Sequence, residues 1–228
     1  MEYNDLPEAY KKGFVYFLGV QIGLENRPLI PREETEFWAS QALEEIEIFI
    51  KQNKIKKIFC LDIFSGSGCL GIALLKKINQ ANCDFGEIED SFLAQIKKNL
   101  EKNKILENRY QIIKSDIFSN ISNKYDFILA NPPYVAEKRI AEVGEDVKKY
   151  EPAIALFAGP DGMDVLKIFI IQVFDFLKKG GTAYVEIDPE QVEKIKEIIN
   201  QLPADKNFSQ NEFLKDQFGQ IRVLKIIK

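Results

Sequence analysis

Short apolar runs alternate along the chain with longer segments whose apolar positions follow helical spacing. Runs such as residues 58–62 and 127–130 have the length and composition of buried strands. The pattern predicts helices over residues 34–51, 69–78, 91–103, 163–178 and 189–201, followed by two paired strands near 211–214 and 220–227. Alternating strands and helices indicate an α/β fold, in which helices cover both faces of a parallel sheet.

A polar and rigid tetrapeptide, Asn131-Pro132-Pro133-Tyr134, directly follows the apolar run of residues 127–130. The Asn131 side-chain carbonyl can accept a hydrogen bond from an amide or amino N–H. The two prolines fix φ and keep the Pro132 carbonyl out of a helix or a ladder, and Tyr134 adds a flat apolar wall. The pattern is suited to gripping a planar NH2 group, although an ordinary proline turn after a strand fits the same residues.

A glycine-rich turn joins the strand of residues 58–62 to an apolar helical segment. Glycines at such a turn let a ligand approach the backbone closely, at the carboxyl end of a parallel strand. The turn does not end in the Gly-Lys-Ser/Thr of a phosphate-binding loop. Gly66, Gly68 and Gly71 do match the spacing of a dinucleotide fingerprint, but this match alone is weak.

Two acidic residues stand at the ends of the next two apolar stretches. Glu87 could accept hydrogen bonds from ribose hydroxyls, which would suit a dinucleotide equally well, and Asp116 could face an adenine edge. Each acid taken alone fits a solvated loop residue. Together with the glycine turn and Asn131, they place polar groups at four successive strand ends, which indicates one ligand-binding crevice.

With these motifs the chain resembles the class I S-adenosylmethionine-dependent methyltransferases. Within that class it is similar to the glutamine N5-methyltransferases that modify peptide chain release factors. The similar segments are residues 31–36, 131–134, 150–156, 159–164, 186–191 and 216–223. The asparagine motif alone is shared with adenine N6-methyltransferases, whereas the combination of segments is specific to the glutamine enzymes.

The resemblance implies a Rossmann-like class I methyltransferase fold: a mostly parallel seven-stranded sheet with helices on both faces and a reversed final strand. It also implies S-adenosylmethionine as the cofactor, S-adenosylhomocysteine as its product, and no metal. The implied cofactor-binding residues are Asp62, Phe64, Ser65, Gly66, Ser67, Gly68, Glu87, Asp116, Ile117 and Asn131. The implied substrate-binding residues are Asn131, Pro132, Pro133 and Tyr134, of which Asn131, Pro132 and Tyr134 form the catalytic set.

The implied reaction is methyl transfer to the side-chain amide nitrogen of a glutamine, in the Gly-Gly-Gln loop of a release factor. Asn131 and the Pro132 carbonyl would each accept one N–H of that amide, while Tyr134 packs on the amide plane or the cofactor. Holding two reactants in line can contribute about 7–11 kcal/mol, so no acid–base residue is needed at the transition state.

Two departures from the family pattern bear on this interpretation. Phe64 stands where the family usually has glycine. Similar loops with phenylalanine at this position occur in some nucleic-acid methyltransferases. Residues 1–30 form only a short extension before the methyltransferase domain of residues 31–228, where bacterial members of the family carry a separate helical domain. We therefore expect a release factor as protein substrate, and leave open a helper protein that replaces the helical domain in docking.

Composition agrees with one cytoplasmic α/β domain. The 228 residues are 46% hydrophobic, and no apolar run approaches the roughly 20 residues that span a bilayer. Cys60, Cys69 and Cys83 lie in or beside apolar segments without metal-ligand spacing, and we interpret them as reduced core residues. The chain contains no histidine, which excludes Ser-His-Asp and Cys-His nucleophiles and a histidine base.

Charge argues against a nucleic-acid partner, because the formal net charge is −4 and the pI is about 5.2. Lys138, Arg139, Lys148 and Lys149 form a local basic stretch near the predicted site, which fits nucleic acid, an acidic protein or mere solubility. Two alternatives to glutamine methylation stay open at this point. One is an N6-adenine methyltransferase acting on RNA or DNA, which Phe64 slightly favours. The other is a cofactor-binding scaffold without activity.

Overall fold

The computed structural model describes residues 5–228 as one set of packed helices and strands. The helices are α1 (Glu8–Lys12), α2 (Glu33–Asn53), α3 (Cys69–Lys77), α4 (Asp90–Lys102), α5 (Glu145–Tyr150), α6 (Asp164–Phe176) and α7 (Val192–Asn200). The strands are β1 (Phe14–Phe17), β2 (Val20–Gly23), β3 (Ile58–Ile63), β4 (Ala81–Glu87), β5 (Tyr110–Lys114), β6 (Tyr125–Ala130), β7 (Leu177–Glu186), β8 (Gln210–Lys215) and β9 (Ile221–Ile227).

A seven-stranded sheet in the order β5-β4-β3-β6-β7-β9-β8 forms the centre of the fold. The neighbours from β5 to β7 pair in parallel, whereas β9 runs antiparallel to both β7 and β8. From β3 the chain first builds the sheet in one direction and then returns to add β6 on the other side. The expected mostly parallel sheet with a reversed final strand is confirmed.

Helices cover both faces of the sheet because its central strands bury side chains on both sides. Within β3, Cys60 joins a core with residues of α2, α3 and α4, whereas its neighbour Leu61 joins a second core with residues of α6 and α7. Successive side chains of a strand point to opposite faces, so one apolar strand supplies both cores. The predicted covering of both faces is thus confirmed.

The hydrophobic pattern located α2, α3, α4 and α6 to within about two residues at each end. The predicted helix of residues 189–201 instead begins with a short 3-10 turn over Pro189–Gln191 and continues as α7. A capping box closes this start, because the Asp188 carboxylate accepts the Glu190 N–H and the Gln191 side chain accepts the Asp188 N–H. No helix within residues 5–228 is long and apolar enough to cross a membrane.

An antiparallel hairpin of β1 and β2 precedes the sheet, and the sequence pattern did not predict it. Its strands are only four residues long, too short for their alternation to stand out. Phe17, Ile22 and Leu24 are nevertheless buried in the same core as α2, α3 and α4. Asn99 of α4 ties the hairpin to the glycine-rich turn, since its amide accepts the Gly23 N–H at 2.8 Å and donates to the Ser67 carbonyl at 2.8 Å.

Gly71, the third glycine of the turn motif, lets α3 approach β4 closely. A Cβ at this position would lie 2.4 Å from Cε1 of Phe85 and 3.0 Å from Cβ of Asp62. We expect Gly71→Ala to lower the free energy of unfolding by about 1–3 kcal/mol through overpacking. Urea unfolding measures the effect, with Gly144→Ala as control because its new Cβ would meet its nearest atom only at 3.9 Å. Equal stability of the two variants would contradict this packing role.

Candidate active site

A cleft opens at the carboxyl ends of β3, β4, β5 and β6. The order of the sheet reverses between β3 and β6, which is where open α/β sheets bind ligands. The cleft is lined by Leu29, Pro31, Thr35, Ile63, Phe64, Ser65, Gly66, Ser67, Cys69, Leu70, Gly86, Glu87, Ile88, Phe92, Ser115, Asp116, Ile117, Asn131, Pro133, Ile154, Ala155, Phe157 and Val165. Most of the site residues predicted from the sequence therefore lie in one place.

The glycine-rich turn forms one wall of the cleft. Ser65 anchors it, because its hydroxyl donates to the Asp62 carbonyl at 2.7 Å and to the Gly86 carbonyl at 3.1 Å. Phe64, Gly66 and Gly68 adopt positive φ angles of 60°, 53° and 78°. Phe64 thus occupies a left-handed conformation that favours glycine, at a cost in backbone strain, and its ring packs against Phe169. A glycine at this position would adopt the same conformation without that strain.

Glu87 ends β4 and is buried beside the turn. Its carboxylate accepts the backbone N–H groups of Gly66 at 2.8 Å, Ile88 at 2.8 Å and Glu89 at 3.0 Å. Burial raises the pKa of Glu87, and these hydrogen bonds partly offset the rise. A carboxylate has about four acceptor sites, so Glu87 holds the turn in place and keeps room for about one further hydrogen bond from a ligand.

Asp116 and Ile117 follow β5 and line the opposite end of the cleft. Asp116 is exposed, and its backbone N–H donates to the Ser119 hydroxyl at 3.1 Å. Ile117 is buried with a positive φ of 47°, an unusual conformation for a β-branched residue. The Ser115 hydroxyl stabilises this tight turn by donating to the Ile117 carbonyl at 2.7 Å.

Asp62 and Gly68 do not line the cleft, although both were predicted as cofactor-binding residues. Asp62 lies beneath the turn, where one carboxylate oxygen accepts the Gly71 N–H at 2.8 Å. Its other oxygen has no hydrogen-bond partner within residues 5–228. Burial raises the pKa of Asp62 well above its usual range. In this structure Asp62 braces the start of α3, and Gly68 is the N-cap of that helix.

Asn131 stands between this cleft and a second cavity. The second cavity is lined by Leu29, Arg32, Asn131, Tyr134, Val135, Val143, Val147, Ala155, Leu156 and Glu186. The Asn131 amide group donates to the Thr35 hydroxyl at 3.4 Å, which leaves its side-chain carbonyl free to accept. Of the four residues of the tetrapeptide, Asn131 thus lines both the cleft and the second cavity.

The other three residues of the tetrapeptide take separate positions. Pro132 is buried, and no backbone N–H of the described residues donates to its carbonyl. Pro133 lines the cleft. Tyr134 lines the second cavity instead, and its hydroxyl donates to Glu186 at 3.1 Å. Burial and the nearby Glu186 carboxylate raise the pKa of Tyr134, so its hydroxyl stays neutral.

Sequence reasoning did not single out several residues that shape the site. Leu29, Thr35, Ile154 and Glu186 line the cleft or the second cavity. Three of them lie inside segments quoted for the resemblance, namely 31–36, 150–156 and 186–191, so the signal was present without a role attached. Their side chains meet only in the folded chain.

The residues of the cleft fit S-adenosylmethionine. The turn at Gly66 has open backbone, Glu87 offers a carboxylate acceptor at the next strand end, and Asp116 lies one strand further along. This order suits a ligand that carries a nucleoside and an amino-acid part. Within residues 5–228 there is no cluster of three or more His, Cys, Asp or Glu side chains able to hold a metal ion.

Comparison with known proteins gives a consistent result. Residues 44–148 match the family described as Methyltransferase small domain. The chain is 34% identical over 220 residues to a release factor glutamine methyltransferase of Streptococcus pneumoniae, covering 96% of this chain and 74% of that protein. It is 34% identical over 188 residues to a ribosomal protein uL3 glutamine methyltransferase of Francisella tularensis, covering 82% of this chain and 57% of that protein.

Among solved structures, the hMettl16 catalytic domain in complex with the MAT2A 3′UTR hairpin 6 superposes with a TM-score of 0.67. The match covers 92% of this chain and 75% of that one, at 16% identity. This similarity is evidence for the fold only.

The buried Asp62 generates a prediction about pH. Its raised folded-state pKa means that the stability it contributes is complete below the unfolded pKa of about 3.9 and is lost as pH rises through the folded pKa. Asp62→Asn keeps an acceptor for the Gly71 N–H but cannot ionise. We expect the stability of the wild type, relative to Asp62→Asn, to fall by up to about 1.4 kcal/mol per pH unit above pH 4. Urea unfolding between pH 4 and 8 measures this, and a constant difference would contradict it.

Proposed function

Because the chain belongs to the family of release factor glutamine methyltransferases, we propose that it transfers a methyl group from S-adenosylmethionine to a glutamine side-chain amide of a peptide chain release factor. The observation that carries this proposal is the position of Asn131. Its free carbonyl stands at the junction of the cleft that fits the cofactor and the second cavity. A substrate amide bound to Asn131 would lie between the cleft and the second cavity.

Two acceptors support binding of an NH2 group. The Asn131 carbonyl is free because its amide nitrogen is engaged by Thr35, and the Pro132 carbonyl receives no backbone hydrogen bond from the described residues. A glutamine amide has two N–H donors on one nitrogen, and the proposal assigns one to the Asn131 carbonyl and the other to the Pro132 carbonyl, although Pro132 itself lines neither the cleft nor the second cavity. Gripping both hydrogens orients the nitrogen and favours the positive charge that develops on it during transfer.

Tyr134 has a packing role in this proposal. Its hydroxyl is used by Glu186 and its pKa is raised, so the residue neither donates a proton to the substrate nor removes one. Its ring lines the second cavity, where it forms a wall for the amide plane.

The reaction relies on placement. When bound, S-adenosylmethionine would supply a methyl group on a positively charged sulfonium. The lone pair of the amide nitrogen would form the new C–N bond as the S–C bonding pair returns to sulfur. One N–H proton would then leave to water. The chain's own residues hold the nitrogen in line and exclude bulk water, which can contribute about 7–11 kcal/mol.

The second cavity fits the methylene chain of a glutamine. Leu29, Val143, Val147 and Leu156 give it apolar walls. At its edge Arg32 forms an ion pair of 2.5 Å with the buried Glu151, which joins the start of α2 to the segment after α5. Apolar walls around a polar end group are typical of small specific sites. The glutamine-modifying relatives named for a release factor and for a ribosomal protein support this side chain as the shared target.

Three of the four cations in the basic stretch form ion pairs, which weighs against a nucleic-acid substrate. Arg139 contacts Glu142, Asp188 and Glu190 at 2.8–3.2 Å. Lys148 pairs with Glu145 at 2.5 Å, and Lys149 pairs with Asp5 at 3.6 Å. To contact a phosphate, each of these cations would have to leave its acidic partner, which lowers the net electrostatic gain.

Asn131→Ala tests the proposal. We expect the variant to lower kcat on a release factor by about 10²–10³, as for loss of one stabilising polar group in an active site. The affinity for S-adenosylmethionine, measured by calorimetry, should stay within about twofold, because the amide serves mainly the substrate. Asn207→Ala is the matched control. Asn207 is exposed and lies in the segment before β8, the outermost strand of the sheet, away from the cleft. Weaker cofactor binding with unchanged turnover of the bound enzyme would exclude this role.

A further inference from the structure

Glu186, the last residue of β7, is a buried carboxylate to which the reaction above assigns no task. Its side chain is only 1% exposed. It accepts hydrogen bonds from the Thr35 hydroxyl at 2.6 Å, the Trp38 indole N–H at 2.8 Å and the Tyr134 hydroxyl at 3.1 Å. Three donors from two distant parts of the chain therefore converge on one carboxylate at the edge of the second cavity.

Thr35 links this carboxylate to Asn131. A threonine hydroxyl has a single proton, and Thr35 gives it to Glu186. Toward Asn131, Thr35 can then only accept a hydrogen bond, which it does from the amide nitrogen at 3.4 Å. The amide orientation that points the Asn131 carbonyl away from Thr35 follows directly from this arrangement.

We propose that Thr35 and Glu186 are positioning residues that fix the amide orientation of Asn131, so that its carbonyl faces the substrate nitrogen. This inference rests on the proposed function, in which that carbonyl accepts a substrate N–H. With the amide turned over, Asn131 would present N–H groups to the N–H groups of the substrate, and donors facing donors cannot bind. The network therefore selects a substrate group that donates hydrogen bonds and rejects one that accepts them.

Trp38 determines which groups donate and which accept hydrogen bonds at the Glu186 end of the network. An indole N–H can only donate, so the Glu186 oxygen shared by Trp38 and Thr35 must be an acceptor. Glutamine at position 186 can meet the same demand, with its carbonyl toward Trp38 and Thr35 and its NH2 toward the Tyr134 hydroxyl. The arrangement thus requires an acceptor at this oxygen and does not require a negative charge.

Substitutions at Thr35 test the inference, with Thr35→Ser as the matched control. Thr35→Val keeps the shape of the side chain but removes the hydroxyl, and we expect kcat on a release factor to fall at least tenfold. Thr35→Ser and Glu186→Gln should stay within about threefold of wild type, because both keep the required hydrogen bonds. Affinity for S-adenosylmethionine, measured by calorimetry, should be unchanged in all three. Wild-type kcat in Thr35→Val would overturn the inference.

A double-mutant cycle separates positioning from a general structural effect. In the Asn131→Ala background no amide remains to be oriented, so adding Thr35→Val should lower kcat no further. An additive loss would overturn the positioning role. The same cycle identifies a failure of the proposed function, because Asn131→Ala alone would then retain the wild-type kcat.

A spectroscopic readout needs no turnover. The side-chain NH2 signal of Asn131 can be identified as the one missing from the NMR spectrum of Asn131→Ala. In wild type and Thr35→Ser we expect this NH2 group to exchange slowly with water, because one of its hydrogens is bound to the hydroxyl. Thr35→Val should accelerate its exchange at least tenfold. Equal exchange rates in the three proteins would overturn the inference whatever the substrate.

Discussion

The parallel placement of β3 beside β6 is the constraint on which the site depends. The chain leaves β3 toward the face covered by α3 and leaves β6 toward the face covered by α6, so the two connections diverge and open a crevice. The glycine-rich turn and the Asn131 tetrapeptide are the first residues of these two connections, and they meet there for that reason. In the proposed reaction, cofactor and substrate would bind at neighbouring strand ends, so the topology of the sheet would bring the two reactants together.

Much of the fold and of the site outline could be predicted from sequence, because both rest on local patterns. Apolar runs and helical spacing located the central strands and α2, α3, α4 and α6. Since the carboxyl ends of parallel strands share one edge, Glu87, Asp116 and Asn131 could be expected in one crevice, and they line the same cleft. The roles of these residues remain predictions until they are measured.

What sequence could not supply depends on contacts between distant segments. Thr35 and Glu186 are 151 residues apart, and nothing in either segment alone indicates that the Thr35 hydroxyl donates a hydrogen bond to Glu186. Packing of the helices against the sheet also determines where two predicted site residues lie. Asp62 lies beneath the turn, and Tyr134 lines the second cavity. The β1–β2 hairpin could not be predicted because its strands are only four residues long and β2 packs against α3 and α4, which are distant in sequence.

Transfer of labelled methyl from S-adenosylmethionine, followed by mass mapping, tests the central claim most directly. Purified release factor, unmodified RNA and unmodified DNA would be offered side by side. The two free acceptors at Asn131 and Pro132 would fit either a glutamine amide or an adenine amine, so the acceptor molecule decides. The account predicts methyl on one glutamine side chain of the release factor and none on the nucleic acids. Methyl on adenine, with the release factor unlabelled, would contradict it.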